Sequence, residues 1–282
     1  MFCIDHGCEL HAPKRLRKGL FFLKPNLEKS DLKRERKSSM DTQIEQTLSS
    51  LRSRHINGIF ADDYEEANQK ILALIPLNAI VGIGDSTAIG QLGTLQALKE
   101  RGTKLLNPFE PEREHDDIGD DKRLRLRIEA TVSDVFLTGT NAITLDGRLV
   151  NVDGTGNRVA GMFWGHPLSI IVVGINKIVQ NLDEAFHRTR NIIAPNHLRI
   201  RSVELGGRKR KTPCVVTGEC NDCRSDDRGC NVFTIIEGKP RRTNLNVIIV
   251  NQDLGLGWDP SWPQERITKI LAEYKKFVIH LG

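Results

Sequence analysis

No stretch of the chain approaches the roughly 18 consecutive apolar residues of a membrane-spanning helix, so a transmembrane role is not expected. Nor do the first residues carry the short apolar core and small-residue cleavage site of a secretory signal, and the expected compartment is the cytoplasm. There is no internal repeat. No Gly-Lys-Ser/Thr follows a glycine loop, which excludes a Walker-type phosphate loop. The GxSxG elbow and an evident Ser–His–Asp set are missing too, which disfavours hydrolase chemistry.

Net charge is also scarce once it is located. The total of +5 over 282 residues is carried entirely by residues 1–39, with ten Lys/Arg against five Asp/Glu, including KRLRK at 14–18 and KRERK at 33–37. From residue 40 on, 31 basic and 31 acidic side chains cancel. A global electrostatic case for nucleic-acid binding therefore fails, and no nucleic-acid partner is expected. Residues 1–39 read as a leader that is disordered or not native to the fold, with a basic interaction arm as the alternative. Met40, where ordinary helical patterning begins, is the expected start of the folded part.

What is present, at 39% hydrophobic residues, suffices for one large core or two modest ones. Ile44, Leu48 and Leu51, and then Tyr64, Ala67, Ile71 and Leu74 ahead of Pro76, predict two opening helices. The runs AIVGIG (79–84), KLLN (104–107), DVFLTG (134–139) and LSIIVVG (168–174) read as short buried strands. They alternate with one helix carrying Ile89, Leu92, Leu95 and Leu98 and stopped by Gly102, and with helices at about 117–132, 155–164 and 182–193. Apolar strands between helices predict an α/β fold, a mostly parallel sheet flanked by helices. Asp146-Gly147 predicts a small antiparallel hairpin. Pro195 to Lys239 reads as a loop-rich, cysteine-rich lobe. VFTIIE (232–237) and LNVIIV (245–250) are expected to return the chain to the sheet before a closing helix at about 264–279.

Two loops carry the expected chemistry. In VGIGDSTAIGQLG (81–93), Gly82 and Gly84 permit a sharp turn after a strand, and Ser86 and Thr87 can cap a helix whose free N–H groups suit a carboxylate or phosphate. The spacing after Gly84 departs from the dinucleotide fingerprint. In TGTNAITLDGRLVNVDGTGNRVA (138–160), turn formation accounts for Asp146 and Gly147 but not for Asn141, Asn151, Asp153, Thr155 and Asn157 together. With Gly154 in the same loop, these predict contacts to a polar ligand, against the alternative of a loop satisfying its own backbone. Lys177, in GINKIV after a predicted strand, faces either the anion or solvent. Asp85 and Asp153 are the candidate acid/base groups. His166 and His115 read as turn or surface residues, and Trp258 and Trp262 as edge packing.

Of six cysteines, Cys3 and Cys8 fall in the leader, while Cys214, Cys220, Cys223 and Cys230 stand at C-x5-C-x2-C-x6-C. Without a secretion signal, four thiols within 17 residues point to a metal centre, with structural or redox-active free thiols as the alternative. The spacing is neither the bacterial ferredoxin run nor a two-knuckle zinc ribbon.

The segments TGTNAITLDGRLVNVDGTGNRVAG, GIGDSTAIGQLG and VVGINKIV resemble the lactate-utilisation (LUD) domain family over about Met40 to Leu256. The resemblance implies the fold of the sugar-phosphate isomerase and CoA-transferase superfamily, with both loops meeting at the carboxyl ends of parallel strands. It also implies a link to organic-acid utilisation, a redox partner protein, and an iron–sulfur cluster of the 4Fe-4S type, with structural zinc as the alternative. Where related aldose-phosphate isomerases place an aspartate this chain has Asn141, which cannot act as a base and puts isomerase chemistry in doubt. Three activities follow as expectations: a redox enzyme or accessory subunit binding a small carboxylate or phosphate, a non-catalytic sensor or partner subunit, and a CoA transferase, for which no carboxylate nucleophile is evident.

Overall fold

The computed structural model describes residues 29–110, 120–204 and 210–278, and the side chains of 29–39 and 120 lie outside that description, as do His115, Cys3 and Cys8. Two units divide the chain, Met1–Ser39 and Met40–Gly282. Of the first, residues 29–39 are described and are helical.

Among the described residues of the second unit, six strands form one wholly parallel sheet: β1 (Asn57–Ala61), β2 (Val81–Ile83), β3 (Leu105–Leu106), β4 (Val135–Gly139), β7 (Leu168–Gly174) and β10 (Asn244–Val250). Their spatial order is β1-β10-β7-β4-β2-β3. A second sheet, ordered β8-β5-β6-β9, contains β5 (Ala142–Thr144), β6 (Leu149–Asp153), β8 (Ile178–Val179) and β9 (Val232–Ile236). The fold is α/β, with a parallel sheet flanked by helices.

The continuous apolar runs have a direct cause. Side chains alternate across a strand, so Ile248 and Val250 join Val135, Leu137, Ile170 and Val172 in a core on one face of the sheet. Val247 and Ile249 join Ile171 and Val173 in a second core on the other. The first face is covered by α2 (Tyr64–Leu74), α3 (Thr87–Gln91) and α4 (Thr94–Glu100), through Ala67, Ile71, Ile89 and Leu98. The second is covered by α1 (Lys29–Ser53) through Ile44 and Leu51, by α6 (Asn157–Phe163) through Val159 and Met162, and by Ile143, Leu149 and Ile236 of the small sheet. Each such Val, Leu, Ile or Met side chain contributes about 1.5–3 kcal/mol by leaving water.

Several expectations need correction. The single helix over Ile89–Leu98 is two helices, because Gly93 adopts φ +71 and breaks it. β1 joins the parallel sheet at its edge, beside β10, between the two opening helices. β9 pairs antiparallel with β6 and not with the main sheet. Pro195 does not begin a loop: α7 (Leu182–Arg188), a π-helical turn (Thr189–Ile193), α8 (Ala194–Arg199) and a second π turn (Ile200–Glu204) run on continuously, with Pro195 in the first turn of α8. His166 is buried, stacked on Phe136 with ring centroids 5.6 Å apart, its Nδ1 3.3 Å from Thr131 O. Trp258 is buried beside α10 (Gln264–Phe277), and Trp262 lies under the Arg266 guanidinium at 3.6 Å.

Gly82 is a packing glycine. A Cβ there would stand 1.9 Å from Ala130 O and 2.5 Å from Ser133 Oγ, the hydroxyl that accepts the Gly82 N–H at 2.9 Å. Gly82→Ala must push the end of α5 (Asp120–Thr131) off the sheet. A loss of about 1–3 kcal/mol in urea unfolding is expected from such overpacking; an unchanged midpoint would mean that this contact yields freely.

Candidate functional site

In this sheet β2 and β4 mark the switch point, since the chain leaves β2 outward to β3 and returns to β4 on the other side. Loops leaving the carboxyl ends of strands diverge at such a point and open a crevice there. A cavity of about 490 Å³ lies at that place, lined by Asp85, Ser86 and Thr87 after β2, by Thr140 and Asn141 after β4, by Lys177 after β7 and by Gly255 after β10.

Of the residues singled out from sequence, Asp85, Ser86, Thr87, Asn141, Asp153, Gly154, Thr155, Asn157 and Lys177 line this cavity together. Gly82 and Gly84 do not; a Cβ on Gly84 would meet Thr138 Oγ1 at 2.6 Å and the Phe136 ring at 2.9 Å, so both glycines serve strand packing. Asn151 stands behind the wall, fully buried. The carboxylate of Asp153 is already engaged: Oδ1 accepts the N–H of Thr155 and Gly156 at 3.0 Å each, and Oδ2 accepts that of Val159 at 3.2 Å. It thereby caps the start of α6, as aspartate does at orphan helix donors. Asp85 pairs with Arg201 at 3.5 Å.

The dominant groups of the site are basic. Arg158, buried in α6, donates to Gly139 O (3.0 Å), Asn151 Oδ1 (2.9 Å), Asn141 Oδ1 (2.9 Å) and Val152 O (2.7 Å). Asn141 and Asn151 are thus acceptors that orient a guanidinium. Lys177, 7% exposed, donates through Nζ to Thr140 O at 2.9 Å. Burial first, and then the nearby Arg158 charge, bring its pKa down to about 7. Arg123, Arg127, Arg201, Arg210 and Arg228 complete a basic wall against four carboxylates, those of Asp85, Asp153, Asp226 and Asp227. Such a concave surplus of one sign focuses a field that favours an anion.

The long helical run supplies Ala194, His197, Leu198, Arg201 and Ser202, which recur at helical spacing on the cavity side. His197 Nδ1 is hydrogen-bonded to the Tyr274 hydroxyl. Desolvation first, then Arg201, Arg210 and Arg158, depress the His197 pKa to about 3, so its imidazole is neutral. Burial first, with the Asp85 charge adding, raises the Tyr274 phenol well above its ordinary range. Ser202 Oγ is buried on this wall without a hydrogen-bond partner among the described residues. Sequence reasoning missed Arg158, His197, Arg201 and Tyr274. One signal was available: a cation in the first turn of a helix opposes the macrodipole, and Arg158 is the second residue of α6.

Cys214, buried in α9 (Pro213–Thr217), and Cys220, Cys223 and Cys230 are free thiols lining one small neighbouring cavity. Arg228 Nε donates to Cys230 Sγ at 3.3 Å. Desolvation first pushes the Cys214 thiol up, and the other three sulfurs add to the rise. Among the described residues no three His, Cys, Asp or Glu side chains are set to hold a single metal ion. Ala194, Leu198 and Arg228 line both cavities and so form the partition between them.

A parallel sheet flanked by helices, with a basic cavity at its switch point, places the chain in the α/β class of folds. The LUD domain family model matches residues 44–250, and the chain belongs to that family. Among solved structures it is similar to a DUF162-family protein from Deinococcus radiodurans, at 16% identity over 76% of this chain and 97% of that one, with a TM-score of 0.39. It is also similar to eIF2B delta from Chaetomium thermophilum, at 14% identity over 58% of this chain and 61% of that one, with a TM-score of 0.28. No curated protein matches the chain. Among the described residues no helix is long and apolar enough to cross a membrane.

Proposed function

We propose that this LUD-domain protein serves organic-acid utilisation by holding a small carboxylate or phosphate in the basic cavity, beside an iron–sulfur cluster on Cys214, Cys220, Cys223 and Cys230. The observation that carries the first part is the neighbouring buried pair Arg158 and Lys177, anchored on the consecutive carbonyls of Gly139 and Thr140. A buried cation either finds a counter-charge or gives up its proton. The nearest carboxylate, Asp153, is 4.0 Å from Arg158 Nε and is committed to capping α6. A bound anion completes the neutralisation, with the Ser202 hydroxyl as a further donor.

For the second part, four sulfurs around one cavity are a donor set suited to soft metals. An iron–sulfur cluster held by four thiolates is one such centre, and tetrahedral zinc is the alternative. Such a cluster, when bound, exchanges single electrons with a redox partner protein. Arg228 would hold its charge against Cys230 while its other face meets the anion cavity.

Binding without turnover is the second reading, favoured because both candidate acid/base carboxylates are engaged, Asp85 with Arg201 and Asp153 with backbone N–H groups.

Thermal unfolding of the full chain, purified without oxygen, against lactate, pyruvate and phosphate tests the cavity. Stabilisation of about 2.7 kcal/mol is expected at a hundredfold excess over Kd, and no response to any of the three would refute the anion reading. Iron and sulfide near four of each per chain, lost in a Cys220→Ala/Cys223→Ala variant, are expected for the cluster. Zinc near one per chain would replace it with a structural site.

A further inference from the structure

We propose that Lys177 acts as an amine nucleophile toward a 2-oxo carboxylate in the basic cavity, forming an imine through Nζ. This rests on the anion-binding reading of the same cavity and names its substrate class.

The geometry is that of an amine held ready and kept unpaired. Nζ donates one hydrogen bond, to Thr140 O at 2.9 Å, and no carboxylate lies within ion-pairing distance of it among the described residues. Its clearance is built in. Gly255 sits at φ +63 where a Cβ would stand 2.9 Å from Nζ, so the residue facing the amine is one whose side chain leaves the approach open. A structural lysine at this depth needs an acidic partner to offset its desolvation; Lys177 instead has a guanidinium as neighbour. Burial together with the Arg158 charge brings its pKa to about 7, against the ordinary 10.5. A desolvated lysine beside another cation is the setting in which an amine becomes nucleophilic near neutral pH.

The substrate class follows from charge and chemistry. Both Nη atoms of Arg158 are spent on Gly139 O, Asn151 Oδ1, Asn141 Oδ1 and Val152 O, so this guanidinium sets the positive field beside Nζ and does not grip the ligand. A ligand that enters the basic cavity and reacts with Nζ needs an anionic group and an electrophilic carbonyl carbon, and a 2-oxo acid carries both on neighbouring atoms. The amine nitrogen forms a bond to the ketone carbon, the two hydrogens of the neutral amine leave with the ketone oxygen as water, and a C=N bond remains. No oxidant or reductant is consumed. A 2-hydroxy acid has the same charge but no carbonyl and forms no such bond.

The test is reductive trapping on the full chain with pyruvate and cyanoborohydride, which delivers hydride to the imine carbon, followed by peptide mapping of every lysine. The expected adduct carries the mass of pyruvic acid less one oxygen, sits on Lys177, and is absent with lactate. Ordinary surface lysines hold about a thousandfold less neutral amine at pH 7, so labelling at Lys177 should exceed that at any other lysine by more than about tenfold. Lys177→Met removes the label, and because the mapping is done on the unsubstituted chain, the result stands even if that variant folds poorly. Stabilisation by pyruvate with no adduct, or with an adduct spread over surface lysines, overturns the amine's role while leaving the anion cavity intact. Neither stabilisation nor adduct overturns both.

Discussion

Arg158→Met is expected to destabilise the fold by about 3–5 kcal/mol and to abolish the thermal response to pyruvate and phosphate. The guanidinium is the only described donor joining two backbone carbonyls, those of Gly139 and Val152, to two side-chain amides, those of Asn141 and Asn151. Methionine matches much of its volume and packs against Met162, whose sulfur lies 4.0 Å from Arg158 Nη1, so the loss isolates hydrogen bonding and charge from cavity formation. Asn151 Oδ1 keeps the Thr140 hydroxyl and the Asn141 N–H, and Asn141 Oδ1 keeps the Val152 N–H, so the cost falls on the Gly139 and Val152 carbonyls, at about 1–3 kcal/mol for each left without a donor. Arg158→Lys keeps the charge but offers fewer donors in a different geometry, and should fall between wild type and Arg158→Met in stability. Urea unfolding of the three proteins, with and without phosphate, measures both effects. A midpoint for Arg158→Met within about 0.5 kcal/mol of wild type would assign the order of this loop to something other than the guanidinium.

Much of the sheet was legible because its strands are covered on both faces, which leaves runs such as LSIIVVG and LNVIIV apolar throughout. β1 escaped notice because NGIFA opens with Asn57 and Gly58 and lies at a half-exposed edge. Pattern cannot say which sheet a strand joins, and VFTII went to the small one. The helix break at Gly93 was invisible because Ile89, Leu92, Leu95 and Leu98 keep helical spacing across it. At the site, the side chains contributed by loops next to strand ends were legible, since chemistry-bearing residues were adjacent in sequence. The roles were less so. Gly82 and Gly84 are required by contacts with Ala130, Thr138 and Phe136, which only the tertiary structure brings together. His197, Arg201 and Tyr274 come from helices far along the chain, and Pro195 disguised the first of these as a loop.

Stability is expected to rise with pH across two windows, and the two buried bases that cause this can be separated. His197 has a folded pKa of about 3 against an ordinary 6.5. The unfolded chain therefore binds a proton that the folded chain refuses between those values, and stability falls as pH drops below 6.5, by up to about 1.4 kcal/mol per unit. Lys177 has a folded pKa of about 7 against 10.5. Its contribution is complete only above 10.5 and is lost as pH falls toward 7, with the same limiting slope of about 1.4 kcal/mol per unit. Urea unfolding at intervals from pH 4 to pH 9.5 should show both arms; above 10 the raised Tyr274 pKa acts in the opposite direction, because the unfolded chain then loses a phenol proton that the folded chain keeps. His197→Gln should flatten the lower arm and Lys177→Met the upper. Saturating phosphate should flatten the upper arm as well, since an anion against Nζ restores the ammonium and raises its pKa. If phosphate stabilises the protein but leaves the slope between pH 7 and 9.5 unchanged, the anion binds away from Lys177, and the cavity's second cation has another purpose.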